Sequence, residues 1–217
     1  MTSHQRLRMM EDLSSTVHKW KTNENTELEV RVISNDGITR EFFLNIKDFL
    51  DSVVQENDPR IGVTYRAEQT VNALYKHHNK TVRVRMFLDT KPEVRSIEEL
   101  GVKNYYATDR AQSLAFSLKS ETPCPFNHTN RDTLSVRQQI RYIYAFEGLE
   151  YHLTRYRQGR TADDARNSPH EQFAVEMELT DAMRSMSEAD IATVLVSRGV
   201  QLLGNTLDGK PNEVHFS

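Results

Sequence analysis

The chain has 217 residues, of which 37% are hydrophobic and 27% charged, and its formal net charge is −3. This length predicts one domain with a sizeable core, and the slightly acidic balance argues against a broad basic surface for nucleic acid. The single cysteine, Cys124, excludes an internal disulfide and a cysteine-rich zinc site.

The first predicted element is a helix within residues 1–22, with its core at 5–20. Its apolar side chains recur at spacings of three and four, at Leu7, Met10, Leu13, Val17 and Trp20. Such a stripe is typical of a helix that packs on the body of its own domain. Docking on a partner is the alternative function for this helix.

A strand over residues 27–32 follows, in which charged and apolar residues alternate. Residues two apart on a strand point to the same face, so Glu27, Glu29 and Arg31 share one face. The apolar residues between them take the other face. The pattern predicts an amphipathic strand with two carboxylates and one guanidinium on its polar side.

The residues between this strand and position 107 predict several short elements. They are, in order, a turn at 35–37, a strand at 38–44, a helix at 46–56, strands at 61–67 and 69–77, a hairpin turn at 77–80, a strand at 81–89 and a short helix near 97–100. Within the strand at 81–89, Arg83 and Arg85 share a face, which repeats the alternating design with the opposite charge.

The rest of the chain predicts more amphipathic strands and one helix. The elements are strands at 113–121, 135–144, 149–156 and 173–179, a loop at 158–171, a helix at 188–198 within the segment 187–199, and a loose tail at 204–217. Alternation places polar residues together on one face of each strand. These residues are Lys119 with Glu121, Arg137 with Gln139 and Arg141, Glu150 with His152 and Thr154, and Glu176 with Glu178.

The charges on these strands are sorted rather than mixed, because the first and last strands are acidic and two inner strands are basic. A single amphipathic strand normally exposes its charged face to solvent. Sorted charges, together with three amphipathic helices that need apolar surface, favour another arrangement. We expect a closed barrel whose first and last strands meet, whose outer face is clad by helices, and whose lumen is lined by glutamate and arginine. Charged faces turned to solvent remain the alternative.

A lumen of this composition predicts a particular ligand chemistry. Clustered carboxylates raise one another's pKa, and a hard divalent cation relieves their repulsion. Opposed arginines bind phosphate oxygens well. The sequence contains neither a Gly-x-x-x-x-Gly-Lys-Ser/Thr loop nor a recognisable Ser–His–Asp arrangement, and Cys124 lacks an evident activating neighbour. The residues therefore predict a metal-dependent polyphosphate site.

Six stretches of the sequence together resemble the triphosphate tunnel metalloenzymes, and more narrowly the fungal and protozoan metal-dependent RNA 5′-triphosphatases of mRNA capping. The stretches are Glu27-Leu28-Glu29, residues 81–85, 120–125, 137–144 and 151–154, and Glu176-Met177-Glu178. Their order, spacing and charge over residues 24–180 carry the resemblance. It implies a mainly β (α+β) fold, namely a closed antiparallel eight-stranded barrel, in a single domain over residues 1–217.

The resemblance also implies roles for individual residues. It implies that Mg²⁺ or Mn²⁺ is held by Glu27, Glu29 and Glu178. It implies that the attacking water is positioned by Glu121 and Glu176, and that the triphosphate is bound by Arg83, Arg85, Arg137 and Arg141. Further substrate contacts are expected from Arg31, Lys119, His152 and Arg155.

The sequence departs from the family pattern at three places. Ala174 stands where the fungal enzymes have a third glutamate, and His152 stands where aspartate is usual. The Arg-x-Lys-x-Arg run of the fungal enzymes is Ser135-x-Arg137-x-Gln139 here. These differences favour the protozoan branch of the family.

The implied activity is hydrolysis of the γ-phosphate of triphosphate-ended pre-mRNA to a 5′-diphosphate end, with hydrolysis of nucleoside triphosphates in Mn²⁺ as a further activity. The resemblance implies a nuclear protein that acts on RNA ends, with a guanylyltransferase as a candidate partner and neither a membrane nor DNA as a ligand. The sequence has no long apolar run and no apolar signal core, so we expect an intracellular soluble protein. The alternatives are an inorganic tripolyphosphatase or other small-triphosphate hydrolase, a class IV-type adenylate cyclase, and a barrel that binds anions without catalysis.

Overall fold

The structure is a computed structural model that describes residues 3–56, 62–77, 80–87, 90–105, 112–125 and 133–204. Parts of the predicted features fall outside these ranges: residue 61 of the strand at 61–67, the centre of the hairpin turn at 78–79, residues 88–89 of the strand at 81–89, residues 126–132 of a polar loop that the sequence predicts at 126–134, and the tail from residue 205 onward. The predictions for these segments stay predictions.

Eight antiparallel strands form a closed barrel in the described part of the chain. Their bounds are β1 (Thr26–Ser34), β2 (Thr64–His77), β3 (Lys80–Phe87), β4 (Glu93–Tyr105), β5 (Gln112–Pro123), β6 (Thr133–Phe146), β7 (Leu149–Gly159) and β8 (Gln172–Leu179). Around the barrel they follow the order β1-β5-β4-β3-β2-β6-β7-β8. The predicted closed eight-stranded barrel is confirmed.

The barrel closes where β1 meets β8. In this antiparallel pair Glu29 lies opposite Glu178, and Arg31 lies opposite Glu176. The predicted meeting of the first and last strands is therefore confirmed, together with the predicted pooling of their acidic faces.

Helices cover part of the outer face of the barrel. They are α1 (Ser3–Thr22), α2 (Arg40–Glu56), the short α3 (Ala162–Asn167), α4 (Glu188–Gly204) and a 3₁₀ helix at Asp181–Ser185. α1 and α4 pack on each other and on β1, whereas α2 packs on β8. None of the helices in the described ranges combines the length and apolar character that a membrane-crossing helix needs.

The hydrophobic core lies between these helices and the outer side of the barrel. Leu28 and Val30 on β1 are fully buried there, and Trp20 of α1 belongs to the same cluster. Because side chains alternate along a strand, burying Leu28 and Val30 outside turns Glu27 and Glu29 into the lumen. The apolar faces thus position the charged ones.

The predicted strand at 38–44 is wrong, because this segment begins α2. The backbone N–H of Phe42 donates to the Thr39 hydroxyl at 3.2 Å, so Thr39 caps the helix. From Arg40 onward Phe42, Phe43 and Ile46 recur at helical spacing and are buried. Tertiary packing of this face outweighs the strand propensity of the local aromatic run.

The predicted short helix near 97–100 is also wrong, because the segment lies within β4. Ile97 pairs with Glu121 of β5 and with Thr81 of β3, so its backbone lies between two neighbouring strands of the sheet. The register shifts between Glu99 and Gly101. A ladder to distant strands overrides the local helical preference of this segment.

Three smaller predictions also need correction. The strands predicted at 61–67 and 69–77 are a single strand, β2. The predicted loop at 158–171 contains α3, which starts with a reciprocal capping box between Thr161 and Asp164. In α1, Leu7 is 52% exposed and Met9 is buried instead.

Candidate active site in the barrel lumen

The lumen of the barrel is one continuous cavity of about 690 Å³. Its walls carry six carboxylates: Glu27, Glu29, Glu68, Glu150, Glu176 and Glu178. They also carry cationic side chains, from Arg31, Arg66, Arg83, Arg85, Arg95, Lys119, Arg137 and Arg141. The charged faces of the strands line one enclosed space. The alternative prediction, in which these faces point to bulk solvent, is therefore wrong.

Glu27 carries a charge that the lumen disfavours. Burial and the nearby carboxylates of Glu178 and Glu121 raise the pKa of Glu27 from its ordinary value of 4.5 to about 7. Among the described residues Glu27 makes no ion pair. The site around Glu27 is therefore short of positive charge at neutral pH.

Glu29 is also buried, and two cations from its own wall contact it. Lys119 Nζ lies 2.7 Å from Glu29 Oε1, and Arg31 forms an ion pair with the same carboxylate. Burial and Glu176 nevertheless raise the pKa of Glu29. Arg31 also reaches Glu176, with Nε 3.2 Å from Oε1, so one arginine joins both acidic strands.

His152 lies between two carboxylates on the lumen wall. Its Nε2 is 3.0 Å from Glu150 Oε2 and its Nδ1 is 3.4 Å from Glu178 Oε1. Burial alone would lower the pKa of His152, but Glu178 and Glu150 overcome this and raise it to about 9. Burial opposes the charge on Glu178 as well, yet His152 brings the pKa of Glu178 down to about 2. The pair is charged at neutral pH.

Three arginines form the positive side of the lumen. Burial, and then the neighbouring charges of Arg83 and Arg141, lower the pKa of Arg85 to about 10. Arg141 Nε donates to the Thr154 hydroxyl at 3.3 Å. Guanidinium groups that crowd one another in this way create a strong field for an anion with several oxygens.

Arg137 is held apart from any carboxylate in the part of the chain that the structure describes. Its guanidinium carbon lies 4.5 Å from the ring centroid of Tyr156, and its Nε donates to Gln158 Oε1 at 2.9 Å. Arg137 and Tyr156 both line the cavity.

The structure brings together most of the side chains that the sequence singles out. Eleven of them line the cavity: Glu27, Glu29, Arg31, Arg83, Arg85, Lys119, Arg137, Arg141, His152, Glu176 and Glu178. Glu121 points to the same side of β5 as Lys119 but is only 3% exposed, and it forms an ion pair with Arg83. Glu121 therefore lies behind Arg83 and not on the cavity surface.

Arg155, a predicted substrate contact, is not among the residues that line the cavity. On β7 the residues that line the cavity are Glu150, His152, Thr154 and Tyr156, so alternation turns Arg155 to the outer face.

The sequence did not single out Arg66 and Glu68 of β2 or Arg95 of β4, although all three line the cavity. Glu150 of β7 also lines it, on the strand face that it was predicted to share with His152 and Thr154. Arg66 Nε lies 3.2 Å from Glu68 Oε1, and its Nη1 lies 3.4 Å from Glu150 Oε1. An unbroken alternation through β2 would have identified Arg66 and Glu68, but the predicted break between residues 67 and 69 concealed it.

The acidic residues suit a hard divalent cation by their chemistry. In the described ranges no three histidine, cysteine, aspartate or glutamate side chains already converge as a metal centre. However, one oxygen of Glu121 is buried without a hydrogen-bond partner, and Glu27 forms no ion pair with a described residue. Carboxylate oxygens are the preferred ligands of Mg²⁺ and Mn²⁺. Binding by Glu29 or Glu178 would require partial release from Lys119 or His152.

No protein-family model and no curated protein matches this chain in sequence. Solved structures do match its fold. The RNA triphosphatase Pct1 of S. pombe aligns over 90% of this chain and 90% of its own, with a TM-score of 0.71 and 14% sequence identity. Pct1 in complex with the Spt5 CTD aligns over 90% and 91%, with a TM-score of 0.69 and 14% identity.

The RNA triphosphatase domain of a trifunctional mimivirus mRNA capping enzyme is similar as well. It aligns over 91% of this chain and 96% of its own, with a TM-score of 0.69 and 14% identity. At this identity the likeness establishes the fold. The predicted resemblance to the tunnel-fold RNA triphosphatases is thus confirmed in structure, whereas the protozoan branch stays a prediction.

Proposed function

We propose that this protein is a divalent-cation-dependent RNA 5′-triphosphatase. The observation that carries the proposal is the sorting of charge inside one closed lumen. Acidic strands β1 and β8 meet on one side, and Arg83, Arg85 and Arg141 crowd together in the same cavity. The similarity in fold to RNA triphosphatases supports this choice among polyphosphate ligands.

The arginine cluster binds the triphosphate. Arg85 and Arg141 contact the non-bridging oxygens, and their positive charge stabilises the negative charge that grows on these oxygens in the transition state. Glu121 fixes the guanidinium of Arg83 from behind through their ion pair. A fixed guanidinium stabilises charge better because it need not reorganise during the reaction.

Glu176 orients the attacking water. Burial disfavours its charge, but Arg141 and Arg31 outweigh burial and lower the pKa of Glu176, so the carboxylate is ionised and accepts a hydrogen bond. The water attacks the γ-phosphorus in line with the bond to the β–γ bridging oxygen. That bond breaks, orthophosphate leaves, and the RNA keeps a 5′-diphosphate.

Glu27, Glu29 and Glu178 are the residues that would hold Mg²⁺ or Mn²⁺. When bound, the cation would neutralise charge on the terminal phosphate and supply the positive charge that Glu27 lacks. Lys119 and Arg31 hold Glu29 in the wall, and His152 holds Glu178. Action on nascent RNA in the nucleus, beside a guanylyltransferase, and hydrolysis of nucleoside triphosphates in Mn²⁺ belong to the same proposal.

The test is release of phosphate from RNA whose 5′-triphosphate carries a labelled γ-phosphorus. We expect labelled orthophosphate and an RNA with a 5′-diphosphate in Mg²⁺ or Mn²⁺, and no release in EDTA. Release from inorganic tripolyphosphate without release from RNA would contradict the proposal in favour of a small-triphosphate hydrolase. Pyrophosphate and cyclic AMP formed from ATP would instead identify a cyclase, and inertness toward all three substrates a binding protein.

A further inference from the structure

The contact between Arg137 and Tyr156 differs from the other arginine contacts in the lumen. The guanidinium lies over the aromatic ring, with its carbon 4.5 Å from the ring centroid, and Gln158 accepts a hydrogen bond from Arg137 Nε. The stack presents flat surfaces at the cavity wall and leaves Arg137 without an ion pair in the described residues. Aromatic rings and guanidinium planes are the surfaces on which nucleic acid bases stack.

Two buried amides lie beside this stack. Asn72 is opposite Arg137 in the β2–β6 register, and Gln139 is opposite Tyr156 in the β6–β7 register. Their exposures are 7% and 5%, and both line the cavity. Oδ1 of Asn72 is buried without a hydrogen-bond partner. A buried amide with unused hydrogen-bonding capacity is costly unless a ligand satisfies it.

The stack lies at a suitable distance from the arginine cluster. Thr154, which accepts from Arg141, and Tyr156 are successive lumen-facing residues of β7, so they are separated by about 7 Å along the strand. A ribose spans a comparable length between its 5′-phosphate and its base. A triphosphate whose α-phosphate lies beside Arg141 and whose outer phosphates reach Arg85 therefore places the first nucleobase near Tyr156.

We propose that Arg137, Tyr156, Asn72 and Gln139 form a nucleobase subsite for the first nucleotide of the RNA. The base stacks on the Arg137–Tyr156 pair, and the amides of Asn72 and Gln139 bind its edge, as asparagine and glutamine do with adenine and other bases. The inference rests on the proposed function. It assigns Arg137 to recognition of the base, in contrast to the triphosphate contact that the sequence predicted.

The subsite makes a nucleotide end a better substrate than free tripolyphosphate. The Arg137–Tyr156 stack offers a flat aromatic surface that only a substrate with a base can use, so this surface contributes when a base is attached. Discrimination between the two substrates is therefore the property to measure.

The experiment compares Tyr156→Leu, Tyr156→Phe and the wild type on triphosphate-ended RNA and on inorganic tripolyphosphate. We expect Tyr156→Leu to lower kcat/KM for RNA about tenfold, mainly through KM, because one base–aromatic stack is lost. Hydrolysis of tripolyphosphate should not change, and Tyr156→Phe should keep both activities. Tyr65→Leu, at an exposed tyrosine on β2, is the matched control and should change neither.

An equal loss on both substrates in Tyr156→Leu would overturn the inference, since it would mean that Tyr156 only positions Arg137. No loss on either substrate would overturn it as well. Asn72→Ala adds an independent readout and should change the relative rates on RNAs that begin with different bases. Identical ratios would exclude an edge contact by Asn72.

Failure of the proposed function is distinguishable from failure of the subsite. If the proposed function is wrong, the wild type releases no phosphate from RNA. The subsite is tested separately by calorimetric binding of a β,γ-imido nucleoside triphosphate, which needs no hydrolysis. The wild type and Tyr156→Phe should bind this analogue about tenfold more tightly than Tyr156→Leu, and equal affinities would refute the subsite.

Discussion

Glu29 of β1 and Glu178 of β8 lie directly opposite each other at the seam that closes the barrel. Like charges in such a pair are destabilising, and each carboxylate has its own cation from a different strand. Lys119 of β5 contacts Glu29 at 2.7 Å, and His152 of β7 lies 3.4 Å from Glu178. The seam thus gathers two carboxylates and two neutralising groups from four strands, which is the arrangement on which the proposed metal site depends.

Replacing Glu29 by glutamine should abolish most of the activity and spare the fold. We expect phosphate release from triphosphate-ended RNA to fall by about 10²–10³, the effect of removing one charge-stabilising group. The Tm in EDTA should not fall, because the substitution relieves repulsion at the seam. Steady-state assays and thermal unfolding measure the two effects.

The matched control for this substitution is Glu98→Gln, at an exposed carboxylate on β4. It should keep both the activity and the Tm. Near-parental turnover in Glu29→Gln would remove Glu29 from the proposed metal site.

Glu27 should make the stability of the metal-free protein depend on pH. Its pKa is about 7 in the folded protein against an ordinary value of 4.5, so the folded state holds the proton more tightly. Stability therefore declines as pH rises from about 4.5 to about 7. In EDTA, the Tm of Glu27→Gln minus the Tm of the wild type should increase between about pH 5 and about pH 8. A constant difference would show that the charge of Glu27 is not disfavoured.

His152 should also make stability decline as pH rises, but over a higher pH range than Glu27 does. Its pKa is raised from 6.5 to about 9, so its stabilising charge is complete below about pH 6.5 and is lost as pH rises through about 9. Glu178, with a pKa of about 2, stays ionised throughout this range. The Tm deficit of His152→Gln should be largest near about pH 6 and should shrink toward about pH 9.5. A deficit that grows with pH would contradict the ion pair.

Arg85 should destabilise the ligand-free protein and should be needed to bind the triphosphate. Burial and two neighbouring arginines lower its pKa to about 10, so its charge is unfavourable in the empty lumen. Arg85→Gln should therefore have a Tm at least equal to that of the wild type without ligand. Tripolyphosphate should raise the Tm of Arg85→Gln less than it raises that of the wild type. Phosphate release by the variant should be lower by about 10²-fold or more.

Arg157→Gln, at an exposed arginine on β7, is the control for Arg85→Gln. It should retain the shift in Tm and the activity. A wild-type response to tripolyphosphate in Arg85→Gln would show that the triphosphate does not bind at the arginine cluster.

The alternation of charge could be read from the sequence because it is local. Glu27 with Glu29, Arg83 with Arg85, and Glu176 with Glu178 each lie two residues apart, and a strand turns such pairs to one face. The sorting of acidic and basic strands then indicated a shared interior. Lys119 and Arg141 were identified by the same rule.

The residues that were missed depend on distant pairing. Arg95 lies in β4, whose strand conformation is imposed by β3 and β5 and not by its own residues. Arg155 was assigned to the lumen although the alternation that includes His152 turns it outward. The stack of Arg137 on Tyr156 joins two strands and leaves no local pattern in the sequence.

A crystal structure with Mn²⁺ and a β,γ-imido nucleoside triphosphate, recorded at the manganese absorption edge, would show whether the metal and the triphosphate bind inside the lumen. We expect an anomalous peak inside the barrel that is bound by Glu27, Glu29 and Glu178, with the triphosphate on Arg85 and Arg141. A peak on the exterior of the barrel, or a triphosphate bound outside the lumen, would contradict it.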